Sequence, residues 1–233
     1  MKILITFLLY SLSICFLYSQ NDSILFEKSI ENYNSGKYKK AYNLINQAIE
    51  KNNSTADYYI MKGKILYELN EDLGEFFSLL TKAVNTEPSS PKPLIKRAYY
   101  YEQITKFPEA ILDYNDALKL AKHDSTFVQI YINRGGLYSK IQKPQLGYED
   151  LIKAYKIDST NLGVLNNLAI CLDELGKKNE SFDVLKKIVK IDPLFVPGWV
   201  NLGFQASLRA KYSEALTYLN KADSLEPNAA FTL

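Results

Sequence analysis

Few side chains in this sequence can do chemistry at neutral pH. There is one histidine, His123, and two cysteines, Cys15 and Cys171. A metal centre needs several such ligands at set spacings, and nothing joins His123 to make one. A reactive thiol needs an activating neighbour. Cys171 has no histidine in its stretch of chain, and its helix position suggests packing or surface, so a structural or inert role is expected. Gly135-Gly136 does not follow a strand and therefore is not a phosphate loop. The acidic pairs Asp173-Glu174 and Glu71-Asp72 fall at expected helix ends or turns, where solvated charge is the ordinary state. Asn-x-Ser triplets at Asn52 and Asn179 matter for glycosylation only in a eukaryotic secretory pathway. The expectation is a protein without a catalytic, cofactor or metal site, and not an enzyme of a familiar kind.

Charge and composition narrow the class further. Lys and Arg number 28 against 26 Asp and Glu, a net charge of +2, and nothing in that balance pulls the protein toward nucleic acid, which usually wants a clearly basic face. The 47% of hydrophobic residues is enough to bury a core. Lys2 followed by the uncharged run from Ile3 to Tyr18 has the form of a secretory signal, and it is short for a membrane span. The expected division is a signal peptide over 1–19, cut before Gln20, and a folded domain over 20–233. An uncleaved anchor is one alternative. Lipidation is another: Leu12-Ser13-Ile14-Cys15 resembles a lipobox, although Ile14 stands where that motif takes a small residue. Once Cys15 leaves with the signal, Cys171 has no disulfide partner, and stability must come from packing.

The dominant pattern is a period. Pro193 and Pro227 lie 34 residues apart, each behind a helical stretch and an acidic residue. Asn133, Asn167 and Asn201 repeat at the same interval. Units beginning at Asp22, Ala56, Pro91, Val128, Leu162 and Val196 keep register if one extra residue is allowed after Leu69 and three around His123. Position 4 is large and apolar in every unit: Leu25, Tyr59, Leu94, Tyr131, Leu165 and Trp199. Position 8 is small in every unit: Ser29, Gly63, Ala98, Gly135, Ala169 and Gly203. Two antiparallel helices per unit follow from the spacing. Small residues such as Gly135, Ala110 and Ala154 let the backbones approach, and stacked neighbours build one core.

These residues resemble the tetratricopeptide repeat, with its large residue at 4, small residues at 8, 20 and 27, and Pro at 32. The resemblance covers 22 to 227. It implies an all-α, right-handed α-solenoid of about six helix-turn-helix repeats, near 22–55, 56–90, 91–127, 128–161, 162–195 and 196–229.

Position 7 holds Lys28, Lys62, Arg97 and Arg134, and then Leu168 and Leu202. A basic ladder is one reading, but the residues sixteen further on argue against it for the arginines. They are Asp113 and Asp150 opposite the arginines, and Val184 and Tyr218 opposite the leucines. The expectation is a pair of structural ion pairs, Arg97–Asp113 and Arg134–Asp150, because a half-buried Arg needs a carboxylate. Lys28 and Lys62 lack such a partner and are expected to snorkel.

In the family this chain resembles, first helices line a concave groove. Carried over by position, that groove holds Phe26, Ile30, Tyr33, Ile60, Lys64, Tyr67, Lys92, Ile95, Lys96 and Tyr99 in the N-terminal half. In the C-terminal half it holds Gln129, Asn133, Asn166, Asn167, Asp173, Asn201 and Phe204. Asn133, Asn167 and Asn201 resemble the asparagine ladder with which long members hold a peptide backbone, since an amide offers donor and acceptor together. Solvating the groove is the other role open to them. The family's clamp for a C-terminal carboxylate is incomplete: Lys92 and Lys96 match, but Met61, Phe26 and Ile30 do not.

The expected function is a scaffold or adaptor binding a protein or extended peptide, in a bacterial periplasm, at the cell surface or secreted. A structural subunit of an envelope assembly or secretion complex is the alternative. No nucleic acid partner is expected. Association with the envelope is a further option. So is self-association through the C-terminal end, where Leu216, Leu219 and Leu225 lack a following helix unless Ala229, Ala230, Phe231 and Leu233 fold back over them.

Overall fold

The computed structural model describes residues 22–69 and 72–227. The signal segment and the tail beyond Pro227 lie outside the described residues, as does the extra residue expected after Leu69. Two compact units divide the chain after Leu120.

The first unit holds α1 (helical residues 22–34), α2 (Tyr38–Lys51), α3 (Ala56–Glu68), α4 (Leu73–Thr86), α5 (Pro91–Gln103) and α6 (Phe107–Leu120). The second holds α7 (Asp124–Lys140), α8 (Pro144–Ile157), α9 (Leu162–Glu174), α10 (Lys178–Ile191), α11 (Val196–Leu208) and α12 (Tyr212–Leu225). No strand occurs among the described residues. Helix starts follow local chemistry. Pro91 and Pro144 open α5 and α8, where a missing N–H loses nothing. Asp72 caps α4 by accepting from the Gly74 and Glu75 amides. The residues inserted around His123 are not all turn: α7 starts at Asp124 and runs for 17 residues. Asp124 in its first turn suits the positive end of a helix.

Five helix pairs, α1–α2, α5–α6, α7–α8, α9–α10 and α11–α12, close through one turn geometry. Gly36, Thr105, Gln142, Gly176 and Ala210 all take positive φ, between 56° and 76°. Each is followed by a lysine whose amide bonds back into the preceding helix, as Lys177 does to the Leu172 carbonyl. Glycine accepts this conformation freely, whereas Thr105 at φ 60° holds it under strain.

The small residues act as the spacing implies. In the first unit the Ser29 hydroxyl donates to the Ala41 carbonyl at 2.9 Å; in the second, Ser181 donates to the Ala169 carbonyl at 2.7 Å. Gly63 makes room for the buried Phe76 ring, whose nearest atom lies 3.2 Å from where a Cβ would stand. In the second unit one core cluster joins Leu165, Phe182, Leu185, Ile188, Leu202 and Ala206, and another joins Leu151, Leu168, Cys171 and Leu172.

Candidate functional site

The position-7 arginines leave the list of binding residues. Arg97 Nε and Nη2 donate to Asp113 Oδ2 and Oδ1 at 2.7 and 2.8 Å, and Nη1 donates to Thr81. Arg134 holds Asp150 by the same fork at 2.6 and 2.8 Å. Both carboxylates are buried, and the paired geometry holds the guanidinium protonated against the opposing effect of burial. Lys28 is exposed, and Lys62 rests its ammonium over the Tyr42 ring at 5.2 Å.

In the first unit the groove candidates part into two groups. Ile60 and Ile95 were expected on the groove surface, but they are 6% and 4% exposed. Position 5 on α3 and α5 faces neighbouring helices, so these residues belong to the core. Tyr67 and Tyr99 are surface residues that edge an aromatic cluster. Tyr67 packs on Phe76 and Tyr100, and Tyr99 packs on Tyr100. Burial pushes the Tyr100 hydroxyl pKa up to about 12, so Tyr100 is neutral at physiological pH. Lys92 is paired with Asp57 at 2.6 Å, and Lys96 is exposed on the same helix. Tyr33 donates to Glu68 and carries the Lys64 ammonium over its ring. Several of these side chains are thus held by one another.

In the second unit the asparagines at position 6 reach sideways. Asn167 Nδ2 donates to the Ile132 carbonyl at 3.4 Å, and Asn201 Nδ2 donates to Asn166 Oδ1 at 3.0 Å. Gly136 opens the space that the Asn167 amide uses. Each of these two amides thus ties its helix to position 5 of the preceding first helix. Beside them a cavity of about 470 Å³ opens among α9, α10 and α11. Ile170, Phe204 and Leu185 supply apolar wall, and Asn201, Asp173, Glu174 and Gln205 supply polar edge. Ile170 and Phe204 are well exposed. An adjoining hollow of about 240 Å³ is lined by Gly136, Ser139, Lys140, Asn167, Ile170 and Glu174.

Two buried acceptors in this cavity have no partner among the described residues, Asp173 Oδ1 and Gln205 Oε1. Asp173, Asn201 and Phe204 were foreseen as groove residues. Gln205 was not, because position 10 normally turns into the core: Ile65, Leu137 and Cys171 occupy it in other units. A polar residue at that position was the available signal.

Cys171 is fully buried, with Sγ 2.7 Å from Ser139 Oγ in a hydrogen bond. Burial raises its pKa and keeps it a thiol, so it packs rather than reacts. Asn52 Nδ2 donates to Asp22 and Thr55, which leaves this triplet's amide engaged. Among the described residues no His, Cys, Asp and Glu side chains gather into a metal-binding set, and no helix is long and apolar enough to cross a membrane. At the C-terminal end, Leu216 is exposed, as expected. Leu219 is not free: it packs on α11, its Cγ 2.5 Å from where a Cβ on Gly203 would stand. Leu225 is half-buried, and residues 229–233 lie outside the described residues.

Residues 162–193 match the tetratricopeptide repeat model. No curated protein matches the sequence. Among solved structures, PilW, a widely conserved type IV pilus biogenesis factor, aligns with a TM-score of 0.76 and 15% identity over 91% of this chain and 98% of that one. Pseudomonas aeruginosa pilF aligns at 0.75 and 13% over 92% and 96%. YrrB, a tetratricopeptide repeat protein with an unusual peptide-binding site, aligns at 0.56 and 21% over 80% and 95%. At such identities the likeness establishes the fold, an all-α solenoid of helical repeats.

Proposed function

We propose that this chain is an exported adaptor that holds a protein partner or extended peptide against α9 and α11. The observation that carries the reading is the cavity at Ile170, Asn201 and Phe204, which combines exposed apolar wall with convergent polar groups. A helical-repeat scaffold, in which stacked helices present a continuous face, supports a binding role over catalysis. The likeness to YrrB adds support for a peptide as ligand.

Selection of a randomised nonapeptide library on the full chain is expected to enrich ligands. Phe204→Ala combined with alanine at Asn133, Asn167 and Asn201 should weaken them about tenfold or more, the scale of losing one interface anchor, with helicity unchanged. Unchanged affinity would place the site elsewhere. Export rests on the segment from Lys2 to Tyr18. Mass spectrometry of protein from its own host should find an N-terminus near Gln20, and an intact Met1 in a cytoplasmic fraction contradicts this.

A permanent subunit of an envelope assembly is the second reading, favoured by the likeness to PilW and by exposed Tyr212 and Leu216 on α12. A monomer in solution supports the adaptor. Copurification with membrane components supports the assembly.

A further inference from the structure

We infer that the α9–α11 cavity takes the side chain of a basic residue, arginine or lysine, from an extended segment of the partner. The inference rests on the peptide-binding reading above and names the chemistry that the site would select.

The cavity is short of hydrogen-bond donors. Gln205 is only 5% exposed, yet its Oε1 has no partner among the described residues. Asp173 Oδ1 is likewise buried and unpartnered in the same cavity. A buried acceptor without a donor carries a desolvation penalty that a guest can relieve. Of the donors nearby, the Ser181 hydroxyl donates to the Ala169 carbonyl and Asn201 Nδ2 donates to Asn166 Oδ1.

Charge points the same way. Asp173 and Glu174 stand in the last turn of α9, which has no basic residue. The C-terminal end of a helix is itself partially negative, so two carboxylates there favour a cation. Glu174 also borders the adjoining hollow, which Lys140 lines, whereas Asp173 borders the larger cavity alone. Asp173 is therefore the principal counter-charge.

The walls fit the rest of such a side chain. Ile170 and Leu185 suit its methylene stem, and the exposed ring of Phe204 offers a face to a guanidinium or ammonium. An apolar guest leaves both acceptors unmet, and an acidic guest meets like charge.

The test uses terminally blocked alanine-serine nonapeptides with one central Arg, Lys, citrulline, Leu or Glu, titrated into the full isotope-labelled chain by NMR. Citrulline keeps the shape of arginine without its charge. Arg and Lys peptides should shift the amides of α9 and α11, with citrulline at least about tenfold weaker, the scale of one charge-assisted hydrogen bond. In Asp173→Asn the preference for arginine over citrulline should shrink towards unity. In Gln205→Met binding of both basic peptides should weaken about tenfold. The inference is overturned if arginine and citrulline bind alike in the unmutated chain, if Asp173→Asn keeps the preference, or if no basic peptide binds. Should the Leu peptide bind best at α9 and α11, the groove reading stands and this one falls. If neither these peptides nor the randomised library bind, both fall.

Discussion

Arg97→Leu is expected to destabilise the fold by about 3–5 kcal/mol, the range for removing one partner of a buried ion pair. The loss comes from Asp113, whose side chain is 8% exposed and loses both guanidinium bonds at once. Thr81 loses its donor as well. Adding Asp113→Val removes the stranded carboxylate and recreates the apolar pairing found at Leu168 and Val184. The double variant should recover all but about 1 kcal/mol, because a buried pair is often replaceable by apolar residues of similar volume. Urea unfolding of the two single variants and the double measures the coupling. A double variant as unstable as the sum of the singles overturns the pairing as the reason these residues co-occur.

Gly147→Ala carries the second large effect. A Cβ on Gly147 would stand 2.7 Å from the Gly135 carbonyl oxygen and 3.0 Å from Cys171 Sγ. The first obstacle is backbone, so α7 and α8 must part rather than one side chain turn. Overpacking of this kind costs about 1–3 kcal/mol, and the better helix propensity of alanine offsets up to about 1 kcal/mol of it. A net loss of about 2 kcal/mol is expected in the urea midpoint. Gly136→Ala is the control. Its Cβ would meet only the Asn167 side-chain amide, at 3.2 Å, and that amide can shift. A change within about 1 kcal/mol of zero is expected there. Equal losses at the two glycines would mean that helix flexibility, not the closeness of α7 and α8, sets the requirement.

The fold was legible because the period was written in residues with steric consequences. Glycine, alanine or serine at the crossing points fixes how close paired helices lie. The arginine pairs were legible because charge and apolarity changed together at positions 7 and 23. The start of α7 was not, since residues inserted before a helix can lengthen either the turn or the helix. The left-handed turns at Thr105, Gln142 and Ala210 were also hidden, because no glycine marks them. For the groove, positional carry-over named Asp173, Asn201 and Phe204, which line the cavity, but placed the buried Ile60 and Ile95 on the surface. A cavity is the space left by three helices, and no single position announces it. Gln205 at a core-facing position was the one local sign.

The claim that a partner seats on α9 and α11 is tested most directly by photo-crosslinking in the native host. A photoreactive phenylalanine analogue at Phe204 is compared with the same group at Leu112, which is 62% exposed on α6 of the first unit and does not line the cavity. The account predicts a discrete adduct from Phe204, identified by mass spectrometry as a peptide of another protein, and none from Leu112. Adducts of equal yield from both sites, or none from Phe204 while Leu112 crosslinks, would contradict it.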